Sequence, residues 1–426
     1  MLITKAPKGT QDLLAEDTHR WHFIEDAMRT VCALFGYREV RMPTFEHTEL
    51  FTRSVGDTTD IVQKEMYTFL DKGGRSVTLK PEGTAGVARA FVEHGLYAKP
   101  LPQKMYYLYS PVFRYERPQA GRLREHHQFG IEVFGAASPT ADAEVIALAL
   151  NVLSRLGLGK MQAHINSIGC PECRPEYQRK LRVYYGDHRE RMCPICSERY
   201  ERNPLRLLDC KAEGCRALVD GAPSVLDSLC ESCADHFGRL KEYLQSLGID
   251  YIVDPRIVRG LDYYTRTVFE IIATEIGAQS TVCGGGRYDG LISEVGGPPT
   301  PGIGFGMGME RLLMLMEKRG VEAPDPGLLD VFVVALGEPA RLEAVRTVGG
   351  LREAGIRADL DHAERSAKAQ FKFADRLGCR FTVVIGEDEL SAGTVRLREM
   401  ARSREQCIPA DALMNTLRKA LEEPYE

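Results

Sequence analysis

The spacing of apolar residues divides this chain before any single residue is considered. Trp21, Ile24, Met28, Val31 and Phe35 recur at steps of three and four, so the segment from about Asp17 to Phe35 is predicted to be helical, and Gly36 stands where a helix would stop. A strand-like stretch, YREVRMP, comes next and is closed by Pro43. Strand patterns dominate from Ser76 to Phe134, interrupted by the helical GTAGVARAFVEHG. Short strands with hairpin-like connections point to an antiparallel sheet rather than a βαβ series. From Cys170 to about Gly248 the composition shifts to Arg, Glu and Cys, with helical periods over Glu176–Tyr185 and Ala234–Leu247. Strand character returns in RTVFEIIA, and a glycine-rich region ends in a helix over Met309–Lys318.

The stretch RGVEAPDPG, residues 319–327, reads as a linker. Beyond it strands alternate with helices: LDVFVVAL, a helix to Ala354, IRADLD, a helix to Leu377, FTVVIG, TVRLRE and a last helix. The expected fold is therefore α+β. A domain built on an antiparallel sheet with flanking helices (1–169 and 250–320) is interrupted by a helical, Cys-rich insertion (170–249). A small α/β domain with a largely parallel or mixed sheet occupies 328–426.

A length of 426 residues suits two or three domains. With 44% hydrophobic and 27% charged residues the chain has the composition of a globular protein rather than a disordered one. No apolar run approaches the roughly 20 residues needed to cross a bilayer. The start, MLITKAPKGTQDLLAED, lacks the basic, apolar, small-residue order of a signal peptide, so a cytoplasmic protein is expected. A net charge of −5 argues against a nucleic-acid-coated protein but leaves room for a local basic surface.

Candidate chemistry concentrates in MYYLYSPVFRYERPQAGRLREHHQFGIEVFG, from Met105 to Gly135. In its second strand Phe129, Ile131 and Val133 point one way, and Gln128, Gly130 and Glu132 the other. That second face suits either the floor of a polar pocket, with glycine leaving room for a ligand, or a solvent-exposed surface. Arg114, Arg117, Arg122 and Arg124 sit in the loop and its flanks. Arginine's planar fork suits phosphate oxygens, although a solvated hairpin paired with Glu116 and Glu125 would look the same. In GFGMGMERL (304–312), alternating glycines let a flat ring or phosphate approach the backbone. Arg311 then falls in the first turn of a helix, where a cation costs roughly 0.3–1 kcal/mol unless a polyphosphate, or simply Glu310, offsets it. The glycine spacing fits neither a Rossmann fingerprint nor a P-loop.

Taken in order, these segments resemble the three motifs of class II aminoacyl-tRNA synthetases: one ending at Pro43, one over 113–135, and GFGMGMERL. VRGLDYYTRTVFE (258–270), GGRYDGL (285–291), KGTQDLL and LKPEGTAG (79–86) are similar to signatures of the histidyl-tRNA synthetase family. The resemblance implies a class II catalytic fold, a C-terminal anticodon-binding domain and a homodimer with the segment leading into Pro43 at its interface. It implies ATP, Mg²⁺, L-histidine and tRNA(His) as what the protein uses. By the same resemblance Arg114 and Arg311 hold the ATP phosphates, with Glu116 and Arg122 beside them, and Arg259 contacts the α-phosphate. Glu82, Thr84 and Gln128 receive the α-ammonium of histidine, Glu132 and Tyr264 grip the imidazole nitrogens, and Tyr263 and Gly284–Gly286 shape that pocket. Singly these residues have plainer readings: Glu82 as a helix cap, Tyr263 and Tyr264 as strand aromatics, Arg259 as the partner of Asp262. One alternative is a synthetase-like regulatory subunit of ATP phosphoribosyltransferase. Such a paralogue lacks the C-terminal domain and has eroded motifs, whereas both are intact here.

The insertion is the part this resemblance explains least. Cys170/Cys173, Cys193/Cys196, Cys210/Cys215 and Cys230/Cys233 form four close pairs among the chain's twelve cysteines. Two such pairs make a closed, tetrahedral zinc site, which the catalytic step does not need. Small buried cysteines packing a helical insertion are the other reading. The insertion's arginines between Arg174 and Arg206 are a candidate contact for the tRNA acceptor arm.

Overall fold

The computed structural model describes residues 4–422 apart from 57–58, 160, 211, 274, 276–280, 326 and 328, and divides into two compact units, Met1–Pro324 and Asp325–Glu426. Leu328 and Glu426, the expected limits of the last domain, lie outside the described residues, as do Met1–Ile3 of the opening segment and Pro326 of the linker.

The first unit is organised by an eight-stranded sheet. Its order is β1 (Arg38–Glu39), β5 (Gln103–Phe113), β6 (Glu125–Phe134), β11 (Gly302–Gly308), β10 (Thr281–Arg287), β9 (Thr265–Ile272), β7 (Ala163–Ser167) and β8 (Tyr251–Val253). From β5 to β7 every pairing is antiparallel, as the hairpin-like pattern predicts. The two edges differ: β1 runs parallel to β5, and β8 parallel to β7. Strands of two and three residues are too short to show a period in sequence.

One face of the sheet is covered by α1 (Ala15–Leu34), α4 (Pro139–Arg155), α8 (Glu231–Ser246) and α10 (Met309–Lys318). Trp21, Ile24, Met28 and Val31 of α1 share an apolar cluster with Phe129, Ile131 and Val133 of β6. Burial of each such side chain stabilises by about 1.5–3 kcal/mol. The other face carries α3 (Thr84–Glu93) and the short α9 (Leu291–Glu294). α2 (Thr48–Ser54) and a small sheet in the order β2 (Phe45–His47), β4 (Ser76–Leu79), β3 (Tyr67–Leu70) complete the unit.

Between β7 and α8 the insertion contributes α5 (Arg174–Gly186), α6 (Pro194–Arg202) and α7 (Glu213–Val219), with a core of their own around Tyr177, Leu181, Tyr185, Leu207 and Leu218. α8 itself buries Phe237, Leu240 and Leu244 in the main core. In the second unit the sheet order is β13 (Ala358–Leu360), β12 (Val331–Ala335), β14 (Phe381–Ile385), β15 (Thr394–Glu399), β16 (Arg404–Pro409). It is mixed, parallel at β13–β12–β14 and antiparallel beyond. α11 (Glu338–Glu353), α12 (Ala367–Arg376), α13 (Glu387–Ala392) and α14 (Leu413–Glu422) accompany it. β12 and β14 are buried on both faces, which is why they read as unbroken apolar runs. No helix among the described residues is long and apolar enough to cross a membrane.

A buried ionic network joins the back helices to the sheet. Arg287, at the end of β10, and Asp142 of α4 are both 0% exposed and form an ion pair. His236 Nε2 of α8 lies 2.7 Å from Asp142 Oδ2, to which Thr267 of β9 also donates its hydroxyl at 2.6 Å. Arg287 donates its remaining N–H groups to the Ala136 and Ser138 carbonyls at 2.8 and 3.2 Å. Burial alone would push the Asp142 carboxyl up. The hydrogen bond with His236 and the charge of Arg287 outweigh it and hold the group below the usual carboxylate range. Asp142→Ala removes the fully buried partner of Arg287, leaving it only the half-buried Asp289 at 3.1 Å, and is expected to cost about 3–5 kcal/mol in urea unfolding. A loss under 1 kcal/mol would mean that the network does not brace the sheet.

Candidate active site

Three glycines from neighbouring strands stand directly opposite one another. Gly130 of β6 faces Gly306 of β11, Gly306 faces Gly284 of β10, and the row ends at Glu270 of β9. The sequence reading gave Gly130 a ligand-clearing role, but its space is filled by the Tyr107 ring, which any added Cβ would strike. Gly306 does leave its surroundings open: a Cβ there would meet only the Gln128 side chain, from 3.7 Å.

This strip lies in a cavity of about 860 Å³ lined by Arg114, Glu116, Arg122, Gln128, Arg259 and Arg311, with Gly284, Gly306 and Gly308. Local bonds aim each arginine. Arg114 donates its Nε to the Pro81 carbonyl at 2.8 Å, and Arg311 donates to Gly121 and Thr281 carbonyls at 3.1 and 2.6 Å. Arg122 pairs with Glu116. Arg259 pairs with Glu270, not with Asp262, whose Oδ1 accepts from Asn203 at 3.0 Å; its guanidinium lies 5.9 Å from the centre of the Tyr264 ring. Glu310 accepts from the backbone N–H of His127 at 2.9 Å and meets its ring Nδ1 at 2.9 Å, so its carboxylate is turned to β6. Arg117 is exposed, and Arg124 stacks its guanidinium 4.1 Å from the Tyr115 ring centre.

Six arginines and five acidic side chains line the cavity, and its positive charge is concentrated where Arg114, Arg122 and Arg311 act on one another. Burial lowers the pKa of Arg311, and repulsion from Arg122 and Arg114 lowers it further. His126 lines the same cavity; burial, then the charges of Arg114 and Arg311, push its pKa down to about 3. Burial and the two nearby guanidiniums together keep this histidine neutral, so it adds no positive charge to the arginines around it.

Glu82, Thr84, Glu132, Tyr263 and Tyr264 do not line this cavity; they are buried in a second group. Glu132 shares a strand face with Gln128 and is 0% exposed. Tyr288 donates its hydroxyl to Glu132 Oε2, while Oε1 has no hydrogen-bond partner. Burial raises this carboxyl well above the usual range; hydrogen bonds from Tyr288 and Thr84 oppose the shift and the Glu82 charge adds to it. The Tyr263 ring centre lies 4.7 Å from that of Tyr264 and 5.5 Å from that of Tyr288. Glu82 does cap α3, accepting from the Thr84 and Ala85 backbone N–H groups at 2.9 and 2.7 Å, and Tyr263 reaches it at 3.4 Å. Burial raises the Glu82 pKa, against the pull of those backbone bonds.

Sequence reasoning missed Tyr288, Glu270, Tyr107 and His126. Tyr288 lies inside GGRYDGL and Glu270 ends VRGLDYYTRTVFE, so both were in view, but only strand register sets Glu270 opposite Gly284.

Comparison with known proteins bears on this geometry. A family profile described as histidyl-tRNA synthetase matches residues 9–170 and 198–312, and one described as an anticodon binding domain matches 330–420. A histidine–tRNA ligase of Caldanaerobacter subterraneus subsp. tengcongensis is 54% identical over 99% of this chain and 100% of the relative. One of Moorella thermoacetica is 54% identical over 99% of each. The crystal structure of apo S. aureus histidyl-tRNA synthetase superposes with a TM-score of 0.84 at 39% identity, covering 97% of this chain and 100% of that one.

The charge pattern gives a spectroscopic prediction. An anion that neutralises Arg114 and Arg311 removes the repulsion on an imidazolium, so pyrophosphate should raise the His126 pKa from about 3. Imidazole NMR titration reads this directly; an unchanged pKa in saturating pyrophosphate would place the anion elsewhere.

Proposed function

The chain belongs to the histidyl-tRNA synthetase family, and we propose how its arginine-lined cavity and the buried group around Glu82 and Glu132 divide the work. The protein ligates L-histidine to tRNA(His) through a histidyl-adenylate. The histidine carboxylate attacks the α-phosphorus of ATP and pyrophosphate leaves. The 3′-hydroxyl of the tRNA then attacks the adenylate carbonyl and AMP leaves.

Arg114 and Arg311 hold the ATP phosphates, with Arg122 and Glu116 beside them in the same cavity. Arg259, braced by Glu270 next to the glycine strip, meets the α-phosphate. Negative charge grows on the α-phosphoryl oxygens during attack. Fixed guanidiniums stabilise it without reorganising, each such donor being worth roughly 10²–10³ in rate. ATP and Mg²⁺ serve this family's chemistry in general. Carboxylate oxygens suited to Mg²⁺ are present in the cavity at Glu116 and Glu270, and the ion would screen the phosphate charge. No step calls on zinc, so metal at the insertion cysteines is structural.

The observation that carries the substrate reading is the buried, partnerless Oε1 of Glu132. An imidazole offers one N–H and one bare nitrogen; Glu132 accepts from the first and the Tyr264 hydroxyl meets the second. Glu82, Thr84 and Gln128 receive the α-ammonium group, and Tyr263 with Gly284–Gly286 closes the pocket. A site of this kind rejects amino acids that leave its polar groups unpaired, by roughly 10⁴ or more.

The second unit binds the anticodon stem-loop, and the insertion, whose Arg216 lines the cavity, meets the acceptor arm. With a net charge of −5, these RNA contacts are local and salt-dependent. The protein works in the cytoplasm as a homodimer joined through the segment leading into Pro43. The regulatory-subunit alternative is not favoured, since both the C-terminal unit and the arginine-lined cavity are present.

Amino-acid-dependent ATP–pyrophosphate exchange, run with each of the twenty amino acids, tests the reading. Exchange with histidine alone is expected; exchange with another amino acid would refute the pocket assignment. Glu132→Gln separates binding from stability. A raised folded-state pKa means that stability is fully present below the unfolded value near 4.5 and is lost as pH rises. The glutamine variant escapes that loss. It should melt on the order of a few degrees higher than the parent at pH 8, the gap closing toward acid pH, while its histidine-dependent exchange falls at least ~10²-fold. Undiminished exchange would remove Glu132 from the imidazole site.

A further inference from the structure

Adenylation and transfer leave eight cysteines without a task, and the fold sorts them into two sets. Cys170, Cys173, Cys230 and Cys233 form one, Cys193, Cys196, Cys210 and Cys215 the other, with the sulfurs of each set within 4.8 Å of one another. The pairing is nested: the first close pair joins the last, and the two middle pairs join each other. Two-residue spacing alone allows the sequential alternative, in which neighbouring pairs along the chain would share a site.

The distances decide between packed thiols, disulfides and a metal. Cys170 Sγ lies 3.8 Å from both Cys173 Sγ and Cys230 Sγ, Cys173 Sγ lies 3.9 Å from Cys233 Sγ, and Cys193 Sγ lies 3.8 Å from Cys210 Sγ. A disulfide would need about 2.05 Å. Four sulfurs placed tetrahedrally at about 2.3 Å from zinc stand about 3.8 Å apart. Thiols packed only as small apolar groups have no reason to converge in fours on that edge length. Backbone amides also point at the sulfurs: Cys170 N–H donates to Cys173 Sγ and Cys193 N–H to Cys215 Sγ, both at 3.2 Å. Cys173, Cys193 and Cys230 stand at the N-caps of α5, α6 and α8, where the helix dipole favours thiolate. Each set has two buried members and two half-buried ones, and no oxygen or imidazole ligand takes part. All-thiolate tetrahedra select zinc over Mg²⁺ or Ca²⁺.

We propose that this chain binds two structural zinc ions, one in each nested set. The Cys170/Cys173/Cys230/Cys233 ion joins the place where the chain leaves β7 to the place where it enters α8, closing the neck of the insertion. The Cys193/Cys196/Cys210/Cys215 ion holds α6 and α7 together beside the catalytic cavity, which Cys210 also lines. A unit of roughly sixty residues has too small a core to hold its shape unaided, and a metal is a common staple at that size. This inference stands on the cysteine geometry and does not depend on the roles assigned in the cavity.

Elemental analysis of full-length protein purified without chelator should give two zinc per chain and no iron. Paired serine substitutions then read the connectivity. Nested pairing expects C173S/C233S to retain one zinc and C173S/C196S to retain none. Sequential pairing expects the reverse and would overturn the proposal. X-ray absorption at the zinc edge covers variants that fail to fold: the parent protein should show four sulfur neighbours at about 2.3 Å. Natively folded parent with fewer than two zinc per chain, with iron in place of zinc, or with nitrogen or oxygen in the shell would equally overturn it.

Discussion

An ion pair cut off from water sets the frame for the catalytic face of this protein. Removing Asp142 and Arg287 from solvent costs several kcal/mol per ion, which their mutual attraction, the bonds from His236 and Thr267, the ion pair with Asp289 and the bonds to two backbone carbonyls offset. The position of the pair explains its use. Arg287 ends β10, whose three preceding residues are Gly284, Gly285 and Gly286, and whose next residue, Tyr288, holds Glu132. A run of glycines has little to pack and the weakest preference for a strand. The bare backbone that the site needs is therefore fixed by charge at its end rather than by side chains along its length. The same bonds reach α4, α8 and β9, so the site is braced from the apolar side of the sheet.

A second constraint is electrostatic, and β6 carries it. His126, Gln128, Gly130 and Glu132 alternate along one face, spanning roughly 20 Å at strand spacing. At one end burial, joined by the charges of Arg114 and Arg311, keeps the proton off His126; at the other, burial among tyrosines favours the protonated form of Glu132. One strand thus carries a neutral histidine at one end and a buried carboxyl at the other, with Gln128 between them. Holding acidic groups in a closed aromatic pocket works against folding stability.

Much of this was legible from sequence, and the failures have physical reasons. Trp21, Ile24, Met28 and Val31 of α1 repeat at helical steps and are buried, and α10 runs from Met309 to Lys318 as its pattern predicts. The alternation in β6 separated its core face from its polar face correctly. The strand-like YREVRMP pairs only over Arg38–Glu39, β8 was not seen because three residues carry no period, and β16 was missed because Arg404–Pro409 is a mostly exposed edge with no apolar alternation. The site residues were legible as types but not as partners. Arg259 finds Glu270 through the β9–β10 register, and Gly130 makes room for Tyr107 on the neighbouring strand, facts that belong to three dimensions. Glu82 caps α3, as its plainer reading has it, and such a cap does not exclude the proposed role in the site.

The insertion illustrates why a sheet enzyme can carry an extra unit without losing its core. β7 and α8 flank it, and α8 packs Phe237, Leu240 and Leu244 beside α4 while His236 reaches Asp142. The chain must therefore return from the insertion to a fixed place, because the buried ion pair needs His236 of α8 at hydrogen-bond distance. A closed neck between Cys170 and Cys233 meets that demand. The insertion can then vary its own small core around Tyr177 and Leu218 without shifting α8. It meets the catalytic face at several points: Leu208, Cys210 and Arg216 line the cavity, Arg206 donates to the Arg259 carbonyl at 3.0 Å, and Arg174 donates to the Tyr264 carbonyl at 2.6 Å. The ionic brace behind the sheet fixes α8 and the glycine strand from the apolar side, apart from the insertion's own small core.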